Sequence, residues 1–356
     1  MPLCGVCDVR EFERGILVSI TRGCRVASND EPPSDGLPKM WMLQQPGPGT
    51  FDYHEVPSPS DCDLATGEVL LKFAAGAICG SDVPKFLGLH DPDSPYTGRP
   101  GVPLHEFVGH VEASEAPEFV RGERVVGVIA GSRGLAEYVV NPAHLMFRLD
   151  DSLSDVHATV VQPLSTVLSA LSRVPDVAGA TVAVIGLGPL GLLFTHALKS
   201  MGAARVVGVD LVDRTDVGKA FGIDDVVVGE SHAWASGLED AGERPTLVVD
   251  AIGHRQEIIN DGVRSLRSGG HLLVFGLPED HYVFAMRSFF RKNLTMTAGA
   301  TQQWTRFLGA AQRHLLDHPG LVDDYITDVY SITEAAAAFR SYATPTVGRL
   351  KIALVP

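Results

Sequence analysis

"VAVIGLGPLG", residues 182–191, decides the fold of this 356-residue chain. It closes an apolar run that reads as a buried parallel strand and opens "GPLGLLFTHALKSMG", a segment with helical apolar spacing that ends at Gly202. Gly186, Gly188 and Gly191 form a G-x-G-x-x-G between the two. A glycine-rich turn alone carries little weight, but here a strand precedes it and a helix follows. The next strand, "ARVVGVD", ends in Asp210, 19 residues beyond Gly191. That is the full context of a dinucleotide-binding turn. Gly186 allows the tight turn, Gly188 lets backbone amides approach a pyrophosphate, and Gly191 permits close packing of helix on strand. Pro189 and Leu190 complete the turn, and the helix N-terminus offers partial positive charge to phosphates. The competing reading is the same unit binding another nucleotide, or none.

Asp210 is placed to accept hydrogen bonds from adenosine ribose hydroxyls, and its charge repels a 2′-phosphate, which favours NAD over NADP. Asp213 adds to that bias. Arg214 opposes it, since a guanidinium could meet a 2′-phosphate or stack on adenine.

Working outward, strand and helix continue to alternate. "TLVVDAIG" and "GHLLVFGL" read as strands and "RQEIINDGVRSLRSGG" as the helix between them, so this part of the chain is expected to form a parallel sheet with helices on both faces. Upstream, "GEVLLKFAAGAICG", "HEFVGHVEAS", "GERVVGVIAG" and "LAEYVVNP" are short β-rich runs broken by Gly and Pro, the pattern of a barrel-like β domain. "HATVVQPLSTVLSALSRV" reads as a helix joining the two parts, and "GRLKIALV" as a final strand. Before Met40, "ASNDEPPSDGLP" has the composition of a linker.

The totals exclude several classes. At 45% hydrophobic and 20% charged the chain has a soluble, globular balance. A net charge of -14 argues against nucleic acid, whose phosphates require basic patches, and against an anionic membrane surface. No apolar run reaches the roughly 18 residues of a spanning helix. The opening residues do not read as a signal peptide, because "GILVSI" is short and acids precede it. Five cysteines, all at or before Cys79, make an odd and lopsided set, which points to a reducing cytoplasm rather than a disulfide framework. Cys4 and Cys7 form a C-x-x-C with Cys24 nearby, but no second pair completes a metal site.

Two polar stretches remain. "CGSD" places Cys79 and Asp82 at the end of a strand-like run, and "LHEFVGH", residues 104–110, sets His105, Glu106 and His110 in an apolar strand. Taken singly, a cysteine there is more often core than ligand, and His105 or Glu106 is surface or a satisfied core residue. Taken as a set beside a nucleotide domain, they are candidate metal ligands. His110 reads as a bystander facing solvent or the cofactor's edge. Trp304, Gln302 and Gln303 could touch a substrate or serve packing alone.

In these stretches the chain resembles the medium-chain dehydrogenase/reductase superfamily, in its branch of zinc-dependent alcohol, polyol and sugar dehydrogenases. The shared motifs are "CGSD" (79–82), "HEFVG" (105–109), "GERVV" (122–126), "LAEYVV" (135–140), "QPLSTVLSAL" (162–171), "GLGPLG" (186–191), "SGGHLLVFGL" (268–277) and the closing "GRLKIAL". The resemblance implies an α/β protein with two domains. Residues 40–162 and 300–356 would form a GroES-like β-barrel catalytic domain, 163–299 a Rossmann NAD-binding domain, and 1–39 an N-terminal extension. It implies a catalytic zinc held by Cys79 and His105, with Glu106 a ligand or close neighbour and Gln162 in the place of a further ligand. Asp82 would orient the His105 ring, and Ser81 would pass a proton outward. Backbone from Phe275 through Gly276 to Leu277 would dock the nicotinamide amide.

The chain departs from its relatives at three places. Leu104 stands where many have Gly. Pro84 stands where many have a histidine as proton exit, so Lys85 or water must take over. "GVIAGSRG" replaces the usual four-cysteine lobe, so one catalytic zinc and no structural zinc is expected. The resulting expectation is a cytoplasmic oxidoreductase that uses zinc and NAD on a secondary alcohol or ketone, probed first among polyols, sugars and (amino)cyclitols, and that assembles as a homo-oligomer, a dimer or tetramer. The competing expectations are a zinc-free NADPH-dependent quinone or enone reductase, and a non-catalytic cofactor-binding protein on the same fold. Retention of the Cys/His/Glu set counts against both.

Overall fold

A computed structural model describes residues 38–89, 98–238 and 244–356. The expectations for the N-terminal extension, including Cys4, Cys7 and Cys24, concern residues 1–37 and lie outside the described residues, as does 90–97 of the loop after Phe86.

In chain order, β1 (Lys39–Gln44) and β2 (Asp52–Pro57) make an antiparallel hairpin. They are followed by β3 (Glu68–Ala77), β4 (Glu106–Ser114), β5 (Arg124–Val128), β6 (Tyr138–Pro142), β7 (Met146–Arg148) and helix α1 (Val161–Leu171). Then come β8 (Thr181–Ile185), helix α2 (Pro189–Ser200), β9 (Arg205–Asp210), β10 (Asp225–Val228), β11 (Leu247–Asp250), β12 (His271–Val274) and β13 (Thr295–Ala298). Helix α3 (Trp304–Asp317), β14 (Ile326–Ser331) and β15 (Lys351–Val355) end the chain.

The strands form two large sheets. One has seven strands in the order β14-β15-β3-β4-β5-β7, with β6 paired to β3. Alternate side chains along it enter different cores, as the two-residue period of a strand requires. Val69, Leu71 and Phe73 of β3, Phe107 and Val111 of β4, and Val125 of β5 fill the barrel interior. Val108 and Val126 face the other way, against α1. A register shift between Phe73 and Ala75 reverses the facing of β3, so Ala75 joins Val108. The last strand, β15, sends Ile352 and Leu354 inward, which turns Lys351 to the side of α1.

The other sheet is wholly parallel, six strands in the order β10-β9-β8-β11-β12-β13. Counted from β8 this is 3-2-1-4-5-6, the order of a dinucleotide-binding sheet, whose strand direction of growth reverses between β8 and β11. A ligand cleft is expected beyond the carboxyl ends of those two strands. One apolar core joins the sheets: α1 (Val161, Leu164, Val167), β8 (Val182, Val184), α2 (Leu192, Leu193) and α3 (Leu308, Ala311) all contribute to it. The connecting segment is interrupted, with a short helix at Asp155–Ala158 before α1, rather than one continuous helix.

The glycine turn is sterically exacting. Gly186 has φ 94°, a backbone state that favours glycine. A Cβ on Gly191 would lie 1.8 Å from the Gly186 carbonyl oxygen, whereas a Cβ on Gly188 would meet nothing within 4 Å. Gly191→Ala is therefore expected to lower stability by about 1–3 kcal/mol in guanidinium unfolding, and Gly188→Ala to change it by no more than about 0.5 kcal/mol. Equal effects of the two substitutions would contradict this packing.

Candidate active site

The antiparallel pairing of β3 with β4 builds the site. Ala77 lies opposite Glu106, so continuing both strands one step sets Ile78 level with His105 and leaves Cys79, the next residue, beside it. Cys79 Sγ, a His105 ring nitrogen and a Glu106 carboxylate oxygen all lie within 4.8 Å of one another. Gly80–Asp82 then turns as one short 3₁₀ segment and brings the Asp82 carboxylate back under both. Asp82 Oδ2 accepts from the Cys79 amide at 3.1 Å and Oδ1 from His105 Nδ1 at 2.9 Å. Lys85 Nζ is 3.9 Å from the same Oδ1 and 3.1 Å from Ser132 Oγ. Ser81 is half-buried within that turn.

The electrostatics favour positive charge here. Burial by itself would lower His105, but the charge and hydrogen bond of Asp82, with a smaller effect of Cys79, raise it well above the usual histidine value. Burial would raise Asp82, yet His105, Lys85 and the Cys79 amide hold its carboxyl below the usual range. A carboxylate only accepts, so His105 Nδ1 carries a hydrogen and Nε2 is the atom left to face the cleft. A pocket that stabilises a charged His105 in this way also suits a cation bound by Cys79 and Nε2.

Glu106 is wholly buried and forms an ion pair with Lys351, Oε1 to Nζ 2.7 Å, both side chains no more than 1% exposed. Its Oε2 has no partner among the described residues. Burial raises the Glu106 carboxyl, and the charges of Lys351 and His105 pull it back part of the way. The Tyr325 hydroxyl is likewise buried with no partner among the described residues; burial, then the Glu106 charge, push its phenol well above the usual value. An orphaned carboxylate oxygen beside a thiol and an imidazole fits a bound ion or an ion-bound water. Gln162 is 3% exposed in the first turn of α1, which packs on β4 and β5.

Leu104 is fully buried, and its side chain takes space that a Cβ at residue 76 would need: such a Cβ would lie 2.6 Å from Leu104 Cδ2. Gly76 thus makes room for the leucine. The segment after β5, "GVIAGSRG", forms a tight turn at Ala130–Ser132, tied to the site by the Ile129 amide on the His105 carbonyl at 2.9 Å. His110 lies farther along β4, opposite Lys72 and Arg124.

At the other end of the cleft, Gly186 passes beneath Ala251 and Ile252 at the end of β11, the reversal point of the sheet. Pro189 starts α2 just after Gly188, and Leu190 follows it half-buried. Asp210 holds the glycine turn through the Leu187 amide and also accepts from the Val212 amide at 2.8 Å. Phe275 and Gly276 both donate their amides to the Asp250 carbonyl, at 3.0 and 2.9 Å, and the Leu277 carbonyl accepts from His254 at 2.7 Å. Arg214 departs from its expectation. It is 3% exposed and its Nη1 donates to the carbonyls of Thr346 and Arg349, at 2.9 and 3.1 Å, rather than standing free for a 2′-phosphate or adenine.

Lys351 and Tyr325 escaped the sequence reading. The signal for Lys351 was present: a lysine within the apolar run "LKIALV" is as awkward as the histidine and glutamate in "LHEFVGH", and the two answer each other.

Comparison with known proteins agrees with this architecture. The family model described as the alcohol dehydrogenase GroES-like domain matches residues 65–151, and that described as zinc-binding dehydrogenase matches 189–313. D-arabinitol dehydrogenase 1 of Uromyces fabae is 27% identical over 327 residues, covering 81% of this chain and 90% of its own. Starvation-sensing protein RspB of Escherichia coli K12 is 26% identical over 273 residues, 68% of this chain and 77% of its own. A crystal structure of RspB from E. coli CFT073, described as a short chain alcohol dehydrogenase complexed with NADH, superposes with a TM-score of 0.78 at 21% identity, covering 89% of this chain and 99% of that one.

The ion pair yields a prediction. Lys351→Met leaves a buried carboxylate uncompensated and is expected to cost about 3–5 kcal/mol in denaturant unfolding, while Lys351→Met with Glu106→Gln recovers most of the loss. Additive losses in the double variant would show that the two side chains do not depend on one another.

Proposed function

Because this chain belongs to the medium-chain dehydrogenase/reductase superfamily, in its zinc-dependent alcohol and polyol dehydrogenase branch, we propose that it transfers a hydride between NAD(H) and a secondary alcohol or its ketone, with a polyol, sugar or (amino)cyclitol as substrate class. The observation that carries the reading is the convergence of Cys79, His105 and Glu106 ligand atoms within 4.8 Å, at the barrel strands next to a dinucleotide turn. Cys79 and His105 would hold one zinc ion, with Glu106 or Gln162 supplying oxygen. When bound, zinc supplies Lewis acidity that lowers the pKa of a substrate hydroxyl, and NAD supplies the hydride acceptor.

The chain's own residues do the rest. Asp82 fixes the His105 ring through Nδ1, the role that outer carboxylates play around metal-bound histidine. Lys351 balances the charge of Glu106 where both side chains are buried. Ser81 would take the substrate's proton while releasing its own hydroxyl proton to water, or to Lys85 as a neutral amine, in the place of the histidine that Pro84 replaces. The turn at Gly186, Gly188 and Gly191 and the start of α2 receive the pyrophosphate, with Pro189 and Leu190 shaping its wall. Phe275, Gly276 and Leu277 present backbone to the nicotinamide amide.

Asp210 keeps lone pairs for the ribose hydroxyls beyond the two amides it already accepts. Its charge, together with the inward turn of Arg214, supports NAD over NADP. The name of the Uromyces relative supports a polyol. Exposed Val283, Met286 and Phe290 near the edge strand β13 support a homo-oligomer, dimer or tetramer. Among the described residues no helix is long and apolar enough to cross a membrane. A small diffusible substrate and an unpaired Cys79 support a cytoplasmic enzyme.

The test is turnover of NAD with a panel of polyols and cyclitols, before and after chelation. Activity on at least one secondary alcohol is expected, falling on the order of 100-fold or more in Cys79→Ser and about 10- to 100-fold in zinc affinity for Asp82→Asn. Undiminished turnover of fully metal-stripped protein would sink the zinc reading. Asp210→Ala is expected to narrow the preference for NAD over NADP in kcat/KM; an unchanged ratio would remove Asp210 from cofactor choice.

A further inference from the structure

A second group of imidazoles lies on helices other than the strands that carry Cys79 and His105. His196 sits on α2, the helix that starts at the glycine turn. His314 sits in the last turn of α3 and His318 caps its end, four residues on, so both project from the same face of that helix. His314 Nε2 is 3.0 Å from His196 Nδ1, and ring nitrogens of all three residues lie within 4.8 Å of one another. The rings of His196 and His314, and of His196 and His318, meet edge to face with centroids 5.1 and 5.0 Å apart; His314 and His318 stack at 4.4 Å. All three are half-buried.

Aromatic packing accounts for the ring contacts, and the 3.0 Å His196–His314 contact is itself an N–H···N hydrogen bond; neither requires a nitrogen of the third ring to converge on that pair. The polar atoms are arranged as they are around a metal. His318 Nδ1 donates to the His314 carbonyl at 2.9 Å, which fixes the tautomer and frees Nε2 as a lone pair. A backbone carbonyl on the remote ring nitrogen is the usual support of a metal-bound histidine. Two imidazole nitrogens on one tetrahedral ion, each at 2.0–2.1 Å, stand about 3.3 Å apart. The His196 and His314 nitrogens lie within a few tenths of an ångström of that spacing; the ring that donates between them would take its other tautomer to bind, and the His318 nitrogen would close in from within 4.8 Å.

We propose that His196, His314 and His318 form a second metal site, for a divalent ion of the zinc or nickel type, with an open fourth position. Such an ion cross-links α2, which begins at the cofactor turn, to α3, which leads into the strands completing the barrel sheet. Its expected effect is on stability and on the rigidity of that helix pair. The inference does not rest on the zinc at Cys79.

The test is zinc stoichiometry of the full chain, stripped by chelator and re-equilibrated with zinc alone, by equilibrium dialysis and elemental analysis. One equivalent is expected to disappear in His318→Ala and in His314→Ala and to persist in Cys79→Ser, and zinc is expected to raise the melting temperature of Cys79→Ser but not that of Cys79→Ser/His318→Ala. Should His314→Ala fail to fold, His318→Ala, at the helix end, decides. If neither histidine variant loses an equivalent, or Cys79→Ser binds no zinc, the proposal is overturned. If the Cys79 site itself does not bind, wild type retains one equivalent that His318→Ala alone removes, which separates failure of one site from failure of the other.

Discussion

The buried ion pair of Glu106 and Lys351 is the constraint on which the rest of the site depends. It joins the first residue of β4 to the first residue of β15, 245 positions apart in sequence, with 2.7 Å between Oε1 and Nζ. Burying two charges costs several kcal/mol that their attraction only roughly repays, so the pair adds little net stability. Its effect is on specificity: once either charge is inside, the other must be there too. Because β15 pairs with β3 at Ala77 and Gly76, that demand sets the last strand against the end of the strand leading to Cys79. The final residues of the chain thereby hold in place the two strand ends from which Cys79 and His105 project.

Asp82 performs the equivalent task at short range. It has no exposed surface, and both oxygens are spent, one on the Cys79 amide and one on the His105 ring. A single carboxylate thus orients a thiol-bearing backbone and an imidazole together. Leu104 and Gly76 complete the packing behind them. The leucine before His105 is accommodated because Gly76, against which its Cδ2 packs, has no Cβ.

What was legible in the sequence was what is local. The glycine turn could be read because its requirements lie within six residues, from Gly186 to Gly191, and the carbonyl that excludes a Cβ at Gly191 belongs to Gly186. Strand and helix alternation through the parallel sheet was legible for the same reason, whereas β10 and β13, short edge strands, lacked a strong enough pattern. The grouping of Cys79 with His105 was reached through resemblance, since nothing in either stretch states the β3–β4 register. Arg214 misled because its partners are carbonyls 132 and 135 residues downstream, which no local rule foresees. Lys351 was overlooked on the same ground. His314 and His318 show an i, i+4 spacing that could have been noticed, but His196 joins them only through helix packing.

The central claim is that Cys79 and His105 bind a zinc ion in the cleft next to the dinucleotide turn. Anomalous diffraction at the zinc edge, from crystals of zinc-loaded protein, tests it most directly. The account predicts a peak within bonding distance of Cys79 Sγ and His105 Nε2, with Asp82 still on Nδ1. A zinc-loaded crystal with no anomalous peak between Cys79 and His105 would contradict it.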